Sequence, residues 1–450
     1  MSGINFDDLK KMIEKNEIDT VLAVFPDYFG RLLGKRLTGQ FFLDNKEFFC
    51  CDYLLTAGME MEPQSGFKMA SWEKGYGDYA FVPDMKTLRV IPWLSKTAMV
   101  VCDLTYESGG PVVQSPRAIL KKQCDILAQK GITPYMGSEL EFHLFKGTYP
   151  DLRKQYYRNM EPSSAYRIDY HILSTSFDEP LLQKIRNYMD QAQIPIECHK
   201  GECGAGQHEI GLYYAKAVEM ADRHAIYKNG IKEIAFQNDA AVTFMAKYDY
   251  KESGSSCHVH SSLFNSETGK NLFWDEKSNS PSKTFKYYLG GMLKLTREFS
   301  LLYGPTVNSY KRYCAESFAP TKIAWSYNNR TTGYRIVGSK QSYRPENRIP
   351  GADINPYLTF AGILASGIYG IENKIEPPKE FSGNAYAADD LPQCPLSLSE
   401  AVALFDNSRA ARSLFGDQVV DYLVHCAFLE NKENEKAVTD WELFRYFERI

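Results

Sequence analysis

The stretch MGSELEFHLF (136–145) decides how the chain folds. Residues two apart on a strand share a face, so Glu139 and Glu141 point one way and Leu140 and Phe142 the other. The apolar face needs a core behind it, which makes this a strand of a buried sheet. On the other face two like charges lie side by side. That costs energy unless a cation sits between them. For this pair taken by itself, a solvated strand face is the alternative.

Three more segments carry the same logic outward. In GECGAGQHEIGLYY (201–214), a turn containing Gly204 and Gly206 joins Glu202 to Glu209, and Gln207-His208-Glu209 enters a strand. In GSSCHVHSSLF (254–264), His258 and His260 share one strand face, a spacing that suits a metal or a phosphate. Two satisfied structural histidines are the alternative. Residues 329–357 contain Arg330, Arg335, Arg344, Glu346 and Arg348. Arg forks grip carboxylates and phosphates through two bonds at once, with a surface ion-pair ladder as the alternative.

Together these segments offer Glu139, Glu141, Glu202, Glu209, Glu346 and His258, a hard, oxygen-dominated ligand set, beside a cluster of Arg. That suits two Mg²⁺ or Mn²⁺ ions clamping a phosphate chain. No GxxxxGK[ST] loop, dinucleotide-binding fingerprint, kinase signature or GxSxG elbow occurs, so nucleotide phosphates have to be held by metals and Arg.

Composition sets the frame. The 450 residues are 44% apolar and 24% charged, enough for a sizeable core. A net charge of −4 gives no electrostatic reason to expect nucleic acid or an anionic membrane as partner. No signal-peptide-like stretch opens the sequence, and Tyr357–Ile371, its longest weakly polar run, is too short for a membrane span. Ten Cys at irregular spacing read as reduced thiols, and the expected location is cytoplasmic.

Residues Phe6 to Lys15 read as an amphipathic helix, followed by strands at Thr20–Phe25, Leu32–Arg36, Tyr79–Val82 and Ala98–Asp103. The Gly/Pro/Ser-rich ESGGPVVQSP (107–116) marks the expected boundary between a domain of residues 1–106 and one of 107–450. Beyond it, helices are expected at Arg117–Lys130, Leu181–Gln193, Ala215–Glu233, Ser282–Leu301, Tyr357–Asn373, Leu398–Phe405 and Asp417–Asn431. Strands are expected at Ile132–Phe145, Gln207–Tyr213, Ala241–Phe244, Ser256–Phe264 and Arg335–Val337.

In order along the chain, GSELEFHLF (137–145), ECGAGQHEI (202–210), GSSCHVHSSLF (254–264), VNSYKRY (307–313), APTKIAWSYNNRTTGYRI (319–336) and RPENRIPGADINPYL (344–358) resemble the motifs of bacterial, class I glutamine synthetases. The resemblance implies an α+β protein: a small N-terminal β-grasp domain and a large catalytic domain with a curved antiparallel sheet and flanking helices. It also implies a homo-oligomer, a dodecamer of two hexameric rings, with each active site shared between neighbouring subunits. The implied reaction phosphorylates glutamate with ATP and transfers the γ-glutamyl group to an amine. By the same resemblance, Glu141, Glu202 and Glu209 match the ligands of one metal, and Glu139, His258 and Glu346 those of the other. Arg312, Arg330 and Arg348 match contacts to glutamate and the transferred phosphate, and Gly254 a backbone contact to glutamate. Arg335 and Arg344 match nucleotide-phosphate contacts, and His260 and Ser262 lie near the nucleotide.

The pattern breaks at two places. Six residues after the Arg of NSYKR the family carries a flap Glu that helps to deprotonate ammonium. Here Phe318 stands there, with Glu316 two residues away. In the small domain, QSGFKMAS (64–71) replaces the segment with the ammonium-binding Asp, putting Ser65 and Lys68 at the expected places. Both departures point to the family's branch that makes γ-glutamyl-amines, polyamines or ethanolamide, where carbon rather than charge meets the second substrate. The alternatives are a glutamine synthetase proper, a non-catalytic structural member such as the family's lens protein, and a two-metal hydrolase. Tyr386, in NAYAADDLP (384–392), lies near a Tyr that some relatives adenylylate, but the local match is poor and no modification is expected.

Overall fold

In the computed structural model, which describes residues 4–450, the chain builds two large sheets. Strands β1 (Thr20–Pro26), β2 (Leu32–Thr38), β3 (Phe48–Cys51), β4 (Asp78–Pro83), β5 (Arg89–Val90) and β6 (Thr97–Tyr106) form the first, in the order β2-β1-β6-β4-β3 with β5 on β6. Its pairings are antiparallel except β1 with β6, which run parallel. One face, with Val21, Ala23, Phe25 and Val100, closes a small core under the N-terminal helix Phe6–Glu14. The other, with Leu22, Val24, Met99 and Val101, joins the main core, so the alternation of β1 and β6 fills two cores at once.

The second sheet carries the acidic segments. Its strands are β7 (Ile132–Lys146), β8 (Ile196–Gly201), β9 (Gln207–Lys216), β10 (Ala240–Thr243) and β11 (Cys257–Asn265). After a short pair, β12 (Trp274–Asp275) and β13 (Ser280–Pro281), come β14 (Trp325–Tyr327), β15 (Tyr334–Val337) and β16 (Arg344–Asn347). The order is β14-β15-β16-β11-β7-β9-β8, with β10 on the end of β7. The pairings are antiparallel except β14 with β15, which run parallel. Register shifts at Met136/Ser138 and Ile196/Cys198 bend the sheet.

Behind this sheet the helix Pro356–Glu372 is almost wholly buried, as its mostly apolar sequence requires. It packs closely on Lys283–Leu295 through Gly291 and Gly370. A Cβ at Gly291 would stand 2.1 Å from the Ser366 carbonyl oxygen, and one at Gly370 2.1 Å from that of Tyr287. The helix expected to reach Leu301 ends at Leu295. There Thr296 turns inward, its Oγ1 donating to the Met292 carbonyl and meeting the Tyr334 hydroxyl at 2.7 Å.

Arg117, in the first turn of the helix Pro116–Ala128, ties the first sheet to the helix Ala217–Phe236. Its buried guanidinium donates to Asp222 at 3.0 and 2.9 Å, to Asp103 on β6 at 2.6 Å and to Asp84 at 2.8 Å. The Tyr357 hydroxyl adds a bond to Asp222 at 2.7 Å. All ten cysteines are free, and no helix among the described residues is long and apolar enough to cross a membrane.

Candidate active site

The strands β7, β8, β9 and β11 turn their polar faces into one cavity of about 1640 Å³. Glu139, Glu141, Glu202, Glu209, His258, Gly254, Arg312, Phe318, Arg330, Arg335 and Arg348 all line it. Ser262, His260, Arg344 and Glu346 are not among its lining residues. The fold thus collects eleven of the fifteen candidate positions at one surface, while Leu140 and Phe142 face fully buried into the core.

Glu141 and Glu209 are register partners on β7 and β9, and with Glu202 they hold carboxylate oxygens within 4.8 Å of one another. Ser256 fixes Glu141 with its backbone N–H and its hydroxyl, both at 2.8 Å, and Gln207 adds an amide bond at 3.2 Å. Burial, then the neighbouring carboxylate of Glu202, pushes Glu141 up to about 7. Burial and the charges of Glu139, Glu141 and Glu202 push Glu209 up to about 9. Carboxylates gathered this closely, with Glu141 and Glu209 both pushed up, make a donor set that a divalent cation would suit.

A second set adjoins the first. His258 Nδ1 lies 3.4 Å from Glu139 and 3.8 Å from Glu346, and its buried Nε2 has no hydrogen-bond partner among the described residues. Burial and the nearby Arg348 hold His258 down to about 4, so the ring is neutral, the form that binds a metal. Glu346 is fully buried and takes 2.7 and 2.5 Å bonds from Arg348 and Arg335. Against its burial, His258, His260 and the two Arg bring it down to about 2. His260, matched to a place near the nucleotide, also falls in this set. Its Nε2 lies 2.9 Å from Glu139, while its Nδ1 accepts from Arg344 at 3.1 Å. The donor chemistry of both sets fits divalent cations with oxygen and imidazole ligands.

The arginines differ in their freedom. Arg312 is buried and donates to the carbonyls of Ile349 and Arg348 at 2.8 and 2.9 Å. Arg330 lines the cavity with no ion-pair partner among the described residues. Gly254 meets the site because only glycine fits there: a Cβ would stand 2.7 Å from Arg312 Cγ and 2.8 Å from the Ala246 carbonyl oxygen. Phe318 is 56% exposed and lines the cavity beside Glu316. Both have φ +57°, a left-handed backbone that non-glycine residues adopt at a cost.

Several residues in the site escaped the sequence reading. Lys200 on β8 pairs with Glu202 and lies over the Tyr170 ring. Its signal was its place two residues before Glu202. Gln207 and Ser256 orient Glu141, and only their adjacency to the acidic motifs marked them. Lys68 does not line this cavity; its Nζ lies 3.4 Å from Asp421, and the Ser65 carbonyl is bonded by His425 at 2.8 Å.

The sheet, the paired carboxylates and the Arg-rich strand define a class. Residues 113–446 match the glutamine synthetase catalytic domain, and the chain belongs to that family. It is a glutamine synthetase-type carbon–nitrogen ligase, which sets aside the hydrolase and the non-catalytic readings. Within the family it is 45% identical to a γ-glutamylethanolamide synthetase of Streptomyces coelicolor, over 99% of this chain and 96% of that one. It is 36% identical to a glutamate–isopropylamine ligase of a Pseudomonas species, over 98% of each. Among solved structures, the ligand-free form of GmaS superposes with a TM-score of 0.85 at 26% identity, covering 98% of this chain and all of that one.

Proposed function

We propose that this enzyme uses ATP to convert glutamate into γ-glutamyl phosphate and transfers the γ-glutamyl group to a primary organic amine. The observation that carries this reading is Phe318, an apolar side chain exposed to the cavity where glutamine synthetases place a carboxylate. The names of the two similar ligases, which act on ethanolamine-type and isopropyl amines, support it.

In this reading Glu141, Glu202 and Glu209 hold one Mg²⁺ or Mn²⁺, and Glu139, His258 and Glu346 the other. Such ions, when bound, would supply neutralising charge to the transferred phosphate. Arg312, Arg330, Arg348 and Gly254 bind glutamate and the transferred phosphate. His260, Ser262, Arg335 and Arg344 face the nucleotide. Residues 1–106 form a domain that completes a neighbouring subunit's site in a cytoplasmic homo-oligomer, a dodecamer of two hexameric rings. The placement of Ser65 and Lys68 away from their own chain's cavity fits such a shared arrangement.

Phosphate release from ATP with glutamate, with and without added amines, tests the reading. Release that rises with ethanolamine or isopropylamine and yields the matching γ-glutamyl amide is expected. Release that responds to ammonia alone would return the chain to glutamine synthesis, the second reading, which Glu316 in the cavity wall favours.

A further inference from the structure

The flap that carries Phe318, residues 314–319, is closed on itself by Ser317, whose hydroxyl donates to the Cys314 carbonyl at 2.6 Å and accepts from the Ala319 N–H at 3.4 Å. Glu316 and Phe318 both take left-handed backbone, which persists only where the surroundings impose it. Two bonds to successive flap carbonyls tie this turn to the rest of the fold. Arg348 Nη2 donates to the Phe318 oxygen at 3.4 Å, and the Tyr386 hydroxyl donates to the Ala319 oxygen at 3.0 Å.

Tyr386 is itself held. The Asn384 side chain accepts from its backbone N–H at 3.0 Å. Asn329 donates to the Gly383 carbonyl at 2.9 Å, and the Ala385 N–H donates to Thr331 Oγ1 at 3.0 Å. Asn329 and Thr331 flank Arg330. One phenol hydroxyl therefore joins the loop of Arg330 to the flap of Phe318, and the half-buried ring fills the space between them.

We propose that Tyr386 is a positioning residue that latches the flap over the cavity, setting Phe318 against the amine and keeping water from the acyl phosphate. The inference rests on the ligase reading. The leak it prevents is defined. A water oxygen attacks the γ-carbonyl carbon, the bond from that carbon to the phosphate oxygen breaks, and glutamate, inorganic phosphate and a proton leave. The net result is ATP hydrolysis without an amide.

The test is Tyr386→Phe, which keeps the ring and removes the hydroxyl. Phosphate and γ-glutamyl amide are measured together on the assembled enzyme. Expected is an amine-independent, glutamate-dependent phosphate release raised roughly fivefold, the scale of one lost hydrogen bond, with KM for the amine raised and KM for ATP unchanged. Hydrogen exchange of the flap amides should quicken in the same variant. If phosphate and amide fall in step, with an unchanged ratio and unchanged flap exchange, Tyr386 is only a packing residue. If the wild-type enzyme forms no amide with any amine, the ligase reading fails, and faster flap exchange in Tyr386→Phe alone would not rescue the coupling role.

Discussion

Glu141 on β7 and Glu209 on β9 stand directly opposite each other in an antiparallel ladder, and each is buried. Opposed like charges destabilise a sheet. The cost is visible in both groups, pushed up to about 7 and about 9 by burial and by neighbouring carboxylates. Nothing in the packing of β7 and β9 requires acids here, since the core lies on the other face.

From this follows a separation of stability from activity. Glu209→Gln removes one of the mutually repelling charges and keeps the side chain's shape. In the presence of a chelator the variant should melt at or above the wild-type temperature. With Mg²⁺ or Mn²⁺ added, the wild type should rise and the variant should not, because the site has lost an anionic oxygen. Turnover should be abolished. Glu141→Gln should behave alike, and a full metal-dependent shift in either variant would remove that residue from the ligand set.

Arg348 and Arg330 should part company under the same substitution. Arg348 binds Glu346 and the Phe318 carbonyl, whereas Arg330 lines the cavity with no ion-pair partner among the described residues. Lys keeps the charge and loses the fork. Arg330→Lys should lower kcat/KM for glutamate by about tenfold to a hundredfold without lowering Tm. Arg348→Lys should lower both, because Glu346 is fully buried and one ammonium cannot replace the fork that bonds Glu346 and the Phe318 carbonyl together. Equal Tm losses would mean that Arg330 is structural as well.

His224 predicts an acid sensitivity of the fold. The ring is fully buried, with Nδ1 2.9 Å from the Ser138 hydroxyl and Nε2 without a partner among the described residues. Burial, with Lys228 nearby, holds it well below the usual histidine range. The folded state therefore keeps the ring neutral, while the unfolded chain takes up a proton below about pH 6.5. The unfolded state binds more protons there, so stability falls with falling pH, by up to about 1.4 kcal/mol per unit from this group. Denaturant unfolding at pH 7.5 and pH 5 should show a smaller loss in His224→Met than in wild type. An equal loss in both would assign the sensitivity elsewhere.

What the sequence displayed, and what it hid, divides along physical lines. GSELEFHLF announces a strand with a wet and a dry face because β7 has both. Strand β8 was invisible: IECHKG, at the sheet edge, has only its last residue buried, so no alternation marks it. The short β3 and the helix Gly39–Asp44 lacked the length for a periodic signal. Arg312 lines the cavity, and its guanidinium is also held by two backbone carbonyls, a pairing across 36 and 37 residues that no local pattern encodes. The Arg117 network has the same character, since its three Asp partners come from three separate elements.

The last prediction concerns the second substrate. Ammonium carries its charge well above neutral pH and must lose a proton before it attacks. A flap carboxylate both attracts the cation and accepts the proton. Phe318 does neither, but its exposed ring can meet the carbon of an organic amine. Each buried methylene is worth roughly 0.8 kcal/mol, so two or three offset part of the lost attraction. Proton removal then falls to Glu316, which lines the same wall, or to a phosphate oxygen of the intermediate. A primary organic amine should therefore exceed ammonia in kcat/KM, and Phe318→Glu should move the preference toward ammonia. Glu316→Gln should slow ammonia and amine alike if that carboxylate is the base, and leave both unchanged if the phosphate serves. Rates for ammonia, methylamine, ethanolamine and putrescine on one preparation decide the matter. A clear win for ammonia over all three would mean that Phe318 closes the flap without selecting the amine.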